Sequence, residues 1–228
     1  MTGINSFLLL GFVLGLRHAL DPDHVVAVSN LASSGTSAPK AARIGLLWGT
    51  GHALVLFVLG FLWIVLNIHI PEYLSQWFES LVGLILIVLG LSTLWRFLKK
   101  KVHIHMHEHD GKKHIHFHTH SDGDDHCHSH KGTFLLEKGW VPFVIGMFHG
   151  AAGSAAILFL TFSVVPGHLV FWYLAVFSIG TIISMGVLAF VLAFFIQIAN
   201  KQFPGVYRSV WAVSGLISLA FGIVWLTI

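Results

Sequence analysis

Residues 15–24 read Gly-Leu-Arg-His-Ala-Leu-Asp-Pro-Asp-His and hold two imidazoles (His18, His24), two carboxylates (Asp21, Asp23) and Arg17. Neutral imidazoles and carboxylates together make a borderline nitrogen/oxygen donor set, suited to Ni2+, Co2+ or Zn2+. The carboxylates also bring the negative charge that a buried dication requires. Two further histidines stand among glycines: His52 in Gly49-Thr50-Gly51-His52, and His149 in Gly146-Met147-Phe148-His149-Gly150. The candidate metal ligands are therefore His18, Asp21, Asp23, His24, His52 and His149, with Arg17, Pro22 and Gly51 as supporting positions. Arg17 is expected to pair with an aspartate or to snorkel. No residue is assigned to catalysis: the His-Glu-x-x-His of metalloproteases is absent, so an enzyme is not expected.

The spacing of these residues places a demand on the backbone. On an unbroken helix His18 and His24, six apart, diverge by about 120°. Pro22 cannot continue the hydrogen-bond ladder and disfavours helical geometry at Asp21. A break resolves both problems: one half-helix ends near His18, and a second starts with Asp21 as its cap and Pro22 at its first position. The break would let the ligands converge. It would also free backbone carbonyls, which apolar surroundings tolerate only where they line a cavity.

Those surroundings are apolar. Of 228 residues 55% are hydrophobic and 10% charged, and the mean hydropathy is +0.79; soluble domains carry about 25% charged residues. Long apolar runs at about 4–31, 43–66, 79–98, 137–161, 168–197 and 206–228 are each near the length of a transmembrane helix. They are continuous rather than alternating, which excludes a barrel. The expected fold class is an all-α integral membrane protein of six transmembrane helices. Ionisable residues inside such a span are functional candidates by default.

Threading six spans from an outside N-terminus sorts the cations. One side receives Lys40, Arg43, Arg96, Lys99, Lys100, Lys101, Lys112, Lys113, Lys131, Lys138, Lys201 and Arg208; the other receives none. This asymmetry predicts a cell-membrane protein with both termini outside and the 99–136 loop in the cytoplasm. It also accounts for the formal charge of +3 through the lipid bilayer as partner, with no nucleic acid. The N-terminus lacks a basic region and a small-residue cleavage site, so no removable signal is expected. The single cysteine, Cys127, excludes an internal disulfide.

An internal repeat organises the spans. Gly15-Leu-Arg-His18 recurs as Gly146-Met-Phe-His149, Gly49-Thr50 as Gly180-Thr181, and Gly83-Leu-Ile with Gly90 as Gly215-Leu-Ile with Gly222, at offsets of 131, 131 and 132 residues. The unit is three helices, 1–98 and 137–228. An odd number of crossings makes the second copy inverted, an architecture of secondary transporters.

Between the copies, 99–136 carries eleven of the seventeen histidines: His103, His105, His107, His109, His114, His116, His118, His120, His126, His128 and His130. Its composition, with Gly111 and Gly123 and few apolar anchors, predicts a largely disordered cytoplasmic tract. Such a tract binds several divalent ions loosely, as a buffer, acceptor or loading station. Mobile ligands without preset geometry are not expected to select the metal.

The motif Arg17-His18-Ala-Leu-Asp21-Pro22-Asp23-His24 resembles the signature of the nickel/cobalt transporters, His-x4-Asp-His, and Gly51-His52 resembles the Gly-His pair of that family's next helix. Pro22 stands where the family usually has alanine, and "GMFHGAAGSAAI" has no carboxylate where the family has an acidic motif. With six spans, the chain is most similar to the shorter, urease-accessory-type nickel permeases. The resemblance implies a secondary transporter with Ni2+ or Co2+ as transported substrate and no organic cofactor. It implies metal recognition at His18, Asp23, His24 and His52, and it makes a cytoplasmic metallochaperone a candidate partner. It favours uptake. Divalent metal (Ni/Co/Zn) efflux is the alternative. A membrane cytochrome with histidine haem ligands is an alternative of another class, and Asp21 and Asp23 count against it.

Overall fold

The computed structural model describes residues 2–32, 36–66, 71–99, 102–109, 112–119, 139–152, 165–202 and 204–227. Helices α1 (Thr2–His18), α2 (Pro22–Ala32), α3 (Ala38–Leu66) and α4 (Glu72–Lys99) are followed by strands β1 (Val102–His109) and β2 (Lys112–Thr119). Helices α5 (Val141–Ala152), α6 (Gly167–Gln202) and α7 (Pro204–Thr227) complete the chain. Stretches within α3, α4, α6 and α7 are long and apolar enough to cross a membrane. The pair α1 and α2 meets that test jointly, bent by 49° at its break. The molecule is thus a multi-pass membrane protein built of helices.

Among the described residues there are four single-helix spans and one bent pair. The expected span 137–161 corresponds to α5, which has only twelve residues, and 153–161 lie outside the described residues. Within the histidine-rich tract, expected to be largely disordered, two strands are described over 102–119. There β1 and β2 pair antiparallel, with Val102 opposite Thr119 and His109 opposite Lys112. The physical reason is period. Histidine alternates with Val, Ile, Met and Phe, a period of two that a strand can use, and Asp110-Gly111 between the strands is a strong two-residue hairpin sequence.

The surface is largely apolar, as a lipid solvent requires, and the interior joins apolar side chains such as Trp48 and Leu86 to buried polar ones. Leu9, Phe61, Leu84, Phe195 and Ile223 are exposed, whereas His24, His52, Asn30, Thr93, Thr181 and Ser218 are at most 2% exposed. Lipid tails give helices no hydrophobic reason to associate, so close backbone packing by small residues does much of that work. A Cβ on Gly15 of α1 would strike the Phe177 carbonyl of α6, and one on Gly146 of α5 would strike the Trp48 carbonyl of α3. Gly83 and Gly222 each face the other's carbonyl between α4 and α7, and Gly90 and Gly215 do the same. Helices from the two halves of the sequence are thereby interleaved. The histidines of α3 and α5 are brought against the α1–α2 break.

Candidate metal centre

The break lies where Asp21 and Pro22 predict it. Helix α1 closes with Leu20 N donating to Arg17 O (2.8 Å) and Asp21 N to His18 O (3.1 Å), and α2 opens with Val25 N donating to Asp21 O (3.0 Å). The last carbonyls of a helix need partners from outside it, and α6 adds them. Ser184 Oγ donates to Leu16 O at 2.6 Å, and Thr181 Oγ1 donates to Gly15 O at 3.3 Å. Both hydroxyls hold the end of α1 in place.

Around the break four imidazoles gather, with His24 in the middle. Its ring centroid is 4.8 Å from that of His18, 5.0 Å from His52 and 4.5 Å from His149. His18, His24, His52 and His149 are all buried. Asp23 accepts from two of them: His24 Nδ1 donates to its Oδ1 at 3.0 Å, and His149 Nε2 donates to its Oδ2 at 2.7 Å. His18 Nδ1 donates to Asp21 Oδ2 at 2.7 Å, and His18 Nε2 meets His52 Nε2 at 2.8 Å.

These contacts assign the protons. With neutral imidazoles, each nitrogen facing a carboxylate carries the hydrogen, so the opposite nitrogen keeps a lone pair. His24 Nε2 and His149 Nδ1 are then lone pairs. His52, donating through Nε2 to the bare nitrogen of His18, keeps a third at Nδ1. Each of these three atoms is buried and has no hydrogen-bond partner. A buried acceptor left unpaired is costly, whereas a lone pair held in place by a carboxylate is how a metal-ligating histidine is oriented. The donor chemistry therefore suits a dication. Ligand atoms fall into two overlapping groups, His18/His24/His52 and Asp23/His24/His149, each within 4.8 Å and both containing His24.

Of the residues singled out in the sequence, His18, Asp23, His24, His52 and His149 come together. Asp21 is at the edge, its side chain 47% exposed. Arg17 faces outward rather than into the cluster. Pro22 starts α2, and Gly51 lets α3 meet α5, since a Cβ there would strike the Phe143 carbonyl. The side chains of the histidines from His103 to His118 are not described, and His120, His126, His128 and His130 lie outside the described residues. Sequence reasoning missed several supports. Phe177 packs on His18 at 5.7 Å and Trp48 on His149 at 5.6 Å. Ser214 Oγ donates to Asn30 Oδ1 at 3.1 Å, linking α7 to α2 beyond the cluster. Thr181 was visible only as part of the Gly-Thr repeat, and Ser184 and Asn30 carry no sequence signal.

The family model of the high-affinity nickel-transport proteins matches residues 4–228. The chain belongs to that family. Among curated proteins, the urease accessory protein UreH of Bacillus sp. (strain TB-90) is 32% identical over 226 residues, covering 96% of this chain and 89% of UreH. The Arabidopsis thaliana chloroplast proteins FOR GROWTH AND FERTILITY 1 and 2 are 27% and 26% identical, covering 93% of this chain and 56% and 54% of theirs. No solved structure matches. Nickel transport is thus the activity of the family to which this membrane protein belongs.

Proposed function

We propose that this chain is a secondary transporter that carries Ni2+, with Co2+ as a second substrate, through the cluster at the α1–α2 break. The observation that carries this reading is the set of three buried, unpartnered imidazole nitrogens beside Asp23, inside a helix-built membrane protein. The ion is held first by one of the two overlapping ligand groups and then by the other, with His24 shared during the exchange. His18 Nε2 and His52 Nε2 are hydrogen-bonded to each other at 2.8 Å, a separation too short for an iron porphyrin to enter between them, which disfavours the cytochrome.

In this reading the halves 1–98 and 137–228 are inverted repeats, and rocking of one against the other exposes the cluster to each side in turn. The reciprocal glycine pairs between α4 and α7 support the two-fold relation. So does the matched packing of α1 on α6 and of α5 on α3, which the repeat exchanges. The cation asymmetry sets both termini outside and the histidine-rich loop in the cytoplasm. The likeness to UreH favours uptake, with delivery to a cytoplasmic metallochaperone.

Radiolabelled Ni2+ flux into proteoliposomes, under imposed proton or sodium gradients, tests this reading. Saturable flux that His24→Ala removes is expected. Flux of the same size in His24→Ala vesicles would overturn the assignment of the site.

A further inference from the structure

Two buried aromatic rings touch the histidine cluster, and they come from helices that run in opposite directions. Trp48 of α3 lies 5.6 Å from the His149 ring, and Phe177 of α6 lies 5.7 Å from the His18 ring. Trp48 is 0% exposed and Phe177 4%. Glycine contacts give the register of α3 on α6. A Cβ on Gly45 would meet Met185 and Ala189, whereas one on Gly49 would meet Ile182 and Met185. Numbers rise along one helix as they fall along the other, so the pair is antiparallel. Extended to Phe177, this register sets that residue level with roughly residue 55 of α3, about 4.5 Å beyond His52 at 1.5 Å per residue. Trp48 precedes His52 by four residues, about 6 Å along the axis. The two residues thus bracket His52 from its two sides.

Packing also makes them equivalents. Gly15 faces the Phe177 carbonyl and Gly146 the Trp48 carbonyl; Gly180 faces the Phe12 carbonyl and Gly51 the Phe143 carbonyl. Both comparisons carry α1 onto α5 by 131 residues and relate α6 to α3 by 129. The contacts therefore equate Phe177 with Trp48 and Gly180 with Gly51, two residues out of step with the Gly49-Thr50 match. Since His18 and His149 are repeat partners too, the contact of Phe177 with His18 corresponds to that of Trp48 with His149.

We infer that Trp48 and Phe177 are the two closures of the metal cluster, each shutting one of two opposite approaches to it. The inference deepens the transport reading and rests on it. Inverted repeats turn equivalent residues toward opposite sides of the membrane. Trp48 lies toward the Lys40 and Arg43 end of α3, the cytoplasmic end by the cation rule, so it closes the inner approach. Phe177, toward the Gly167 end of α6, closes the outer one. With both rings in place the four imidazoles are buried, which makes this an occluded arrangement. Trp48 also has a reason to move. Its indole Nε1 is buried with no hydrogen-bond partner among the described residues, a cost that water in an opened approach would relieve.

A thiol between the rings reports access from each side. In a Cys127→Ser, His52→Cys background, a membrane-impermeant methanethiosulfonate is added to right-side-out or to inside-out vesicles, and labelling is followed in time. Trp48→Ala should speed labelling from the cytoplasmic face alone, and Phe177→Ala from the outer face alone. Each gain should be about tenfold, the upper end of what one aromatic pair contributes. Any other pattern of sides, or no gain, overturns the closures. Trp48→Leu and Phe177→Leu, which keep apolar bulk, should show the same sidedness at smaller size, so a misfolded alanine variant does not decide the result. Gradient-driven Ni2+ flux in the parent is measured alongside. Flux without sided labelling removes the closures alone, whereas sided labelling without flux removes transport and leaves them standing.

Discussion

The molecule holds histidines in two settings that differ in every physical respect. At the helix break, four imidazoles are buried, three of them hydrogen-bond to carboxylates, and His18, His52 and His149 come from helices held close by glycine contacts. In the hairpin, histidines alternate along two paired strands, a unit of marginal stability by itself. The first setting costs desolvation and repays it with preset geometry. The second costs little. Number of histidines is therefore a poor guide to where geometry is preset.

The largest expected effect is at Asp23, which accepts from two imidazoles at once. Asp23→Asn keeps the shape but removes the charge and one acceptor, so His24 and His149 cannot both keep their fixed proton. Losing such a ligand-orienting partner typically costs on the order of 10–100-fold in metal affinity, and Asp23 is a candidate ligand as well. Nickel flux should fall by about 100-fold, and flux within a few-fold of the parent would show that the cluster is structural. Next comes packing: Gly146→Val puts a branched side chain against the Trp48 carbonyl, an overpacking of about 1–3 kcal/mol. It should lower the thermal unfolding midpoint in detergent; an unchanged midpoint would mean that α3 and α5 are not closely docked. A smaller change is expected for Ser184→Ala, which frees the Leu16 carbonyl at the end of α1. About 0.6–1 kcal/mol is the scale for such a bond in a membrane protein, so flux should drop by a few-fold while binding persists. A drop as deep as that of Asp23→Asn would make Ser184 part of the ion path itself.

The smallest effect on flux belongs to the other region. Deleting 103–130 should leave transport within a few-fold of the parent while lowering the number of ions bound. Abolished flux after deletion would reverse the roles drawn above. Acidification gives a further contrast. A protonated imidazole has no lone pair for metal. Ions held by the hairpin should thus be released as pH falls from 7.5 to 5.5, and retention of all of them at pH 5.5 would argue for other ligands.

Much of the membrane site was legible from residue types. Asp21-Pro22 states where a helix must stop and another start, because proline removes a donor and aspartate caps. His52 and His149 were legible because each stands beside glycines that bring helices close. What could not be read was which groups would meet. The bond from His149 to Asp23 spans 126 residues and follows only from the docking of α5 on α3. Thr181 and Ser184 look like any hydroxyls until the carbonyls of Gly15 and Leu16 are seen to need them. The hairpin failed for another reason: composition was weighed above period, although alternation and the Asp110-Gly111 turn were both in view.

The interleaving of α1 with α6 has a consequence for synthesis. Ser184 is separated from Leu16, whose carbonyl it binds, by 168 residues. At about 5–20 residues per second, the ribosome needs on the order of 10–30 s to cover that distance. During this time the broken first helix, with its two aspartates and two histidines, is already made and lacks the partners that will cover it. The translocon or a watery cleft beside it must shelter these polar groups until α5 and α6 emerge. The half of the chain that carries the charge is made first and waits longest.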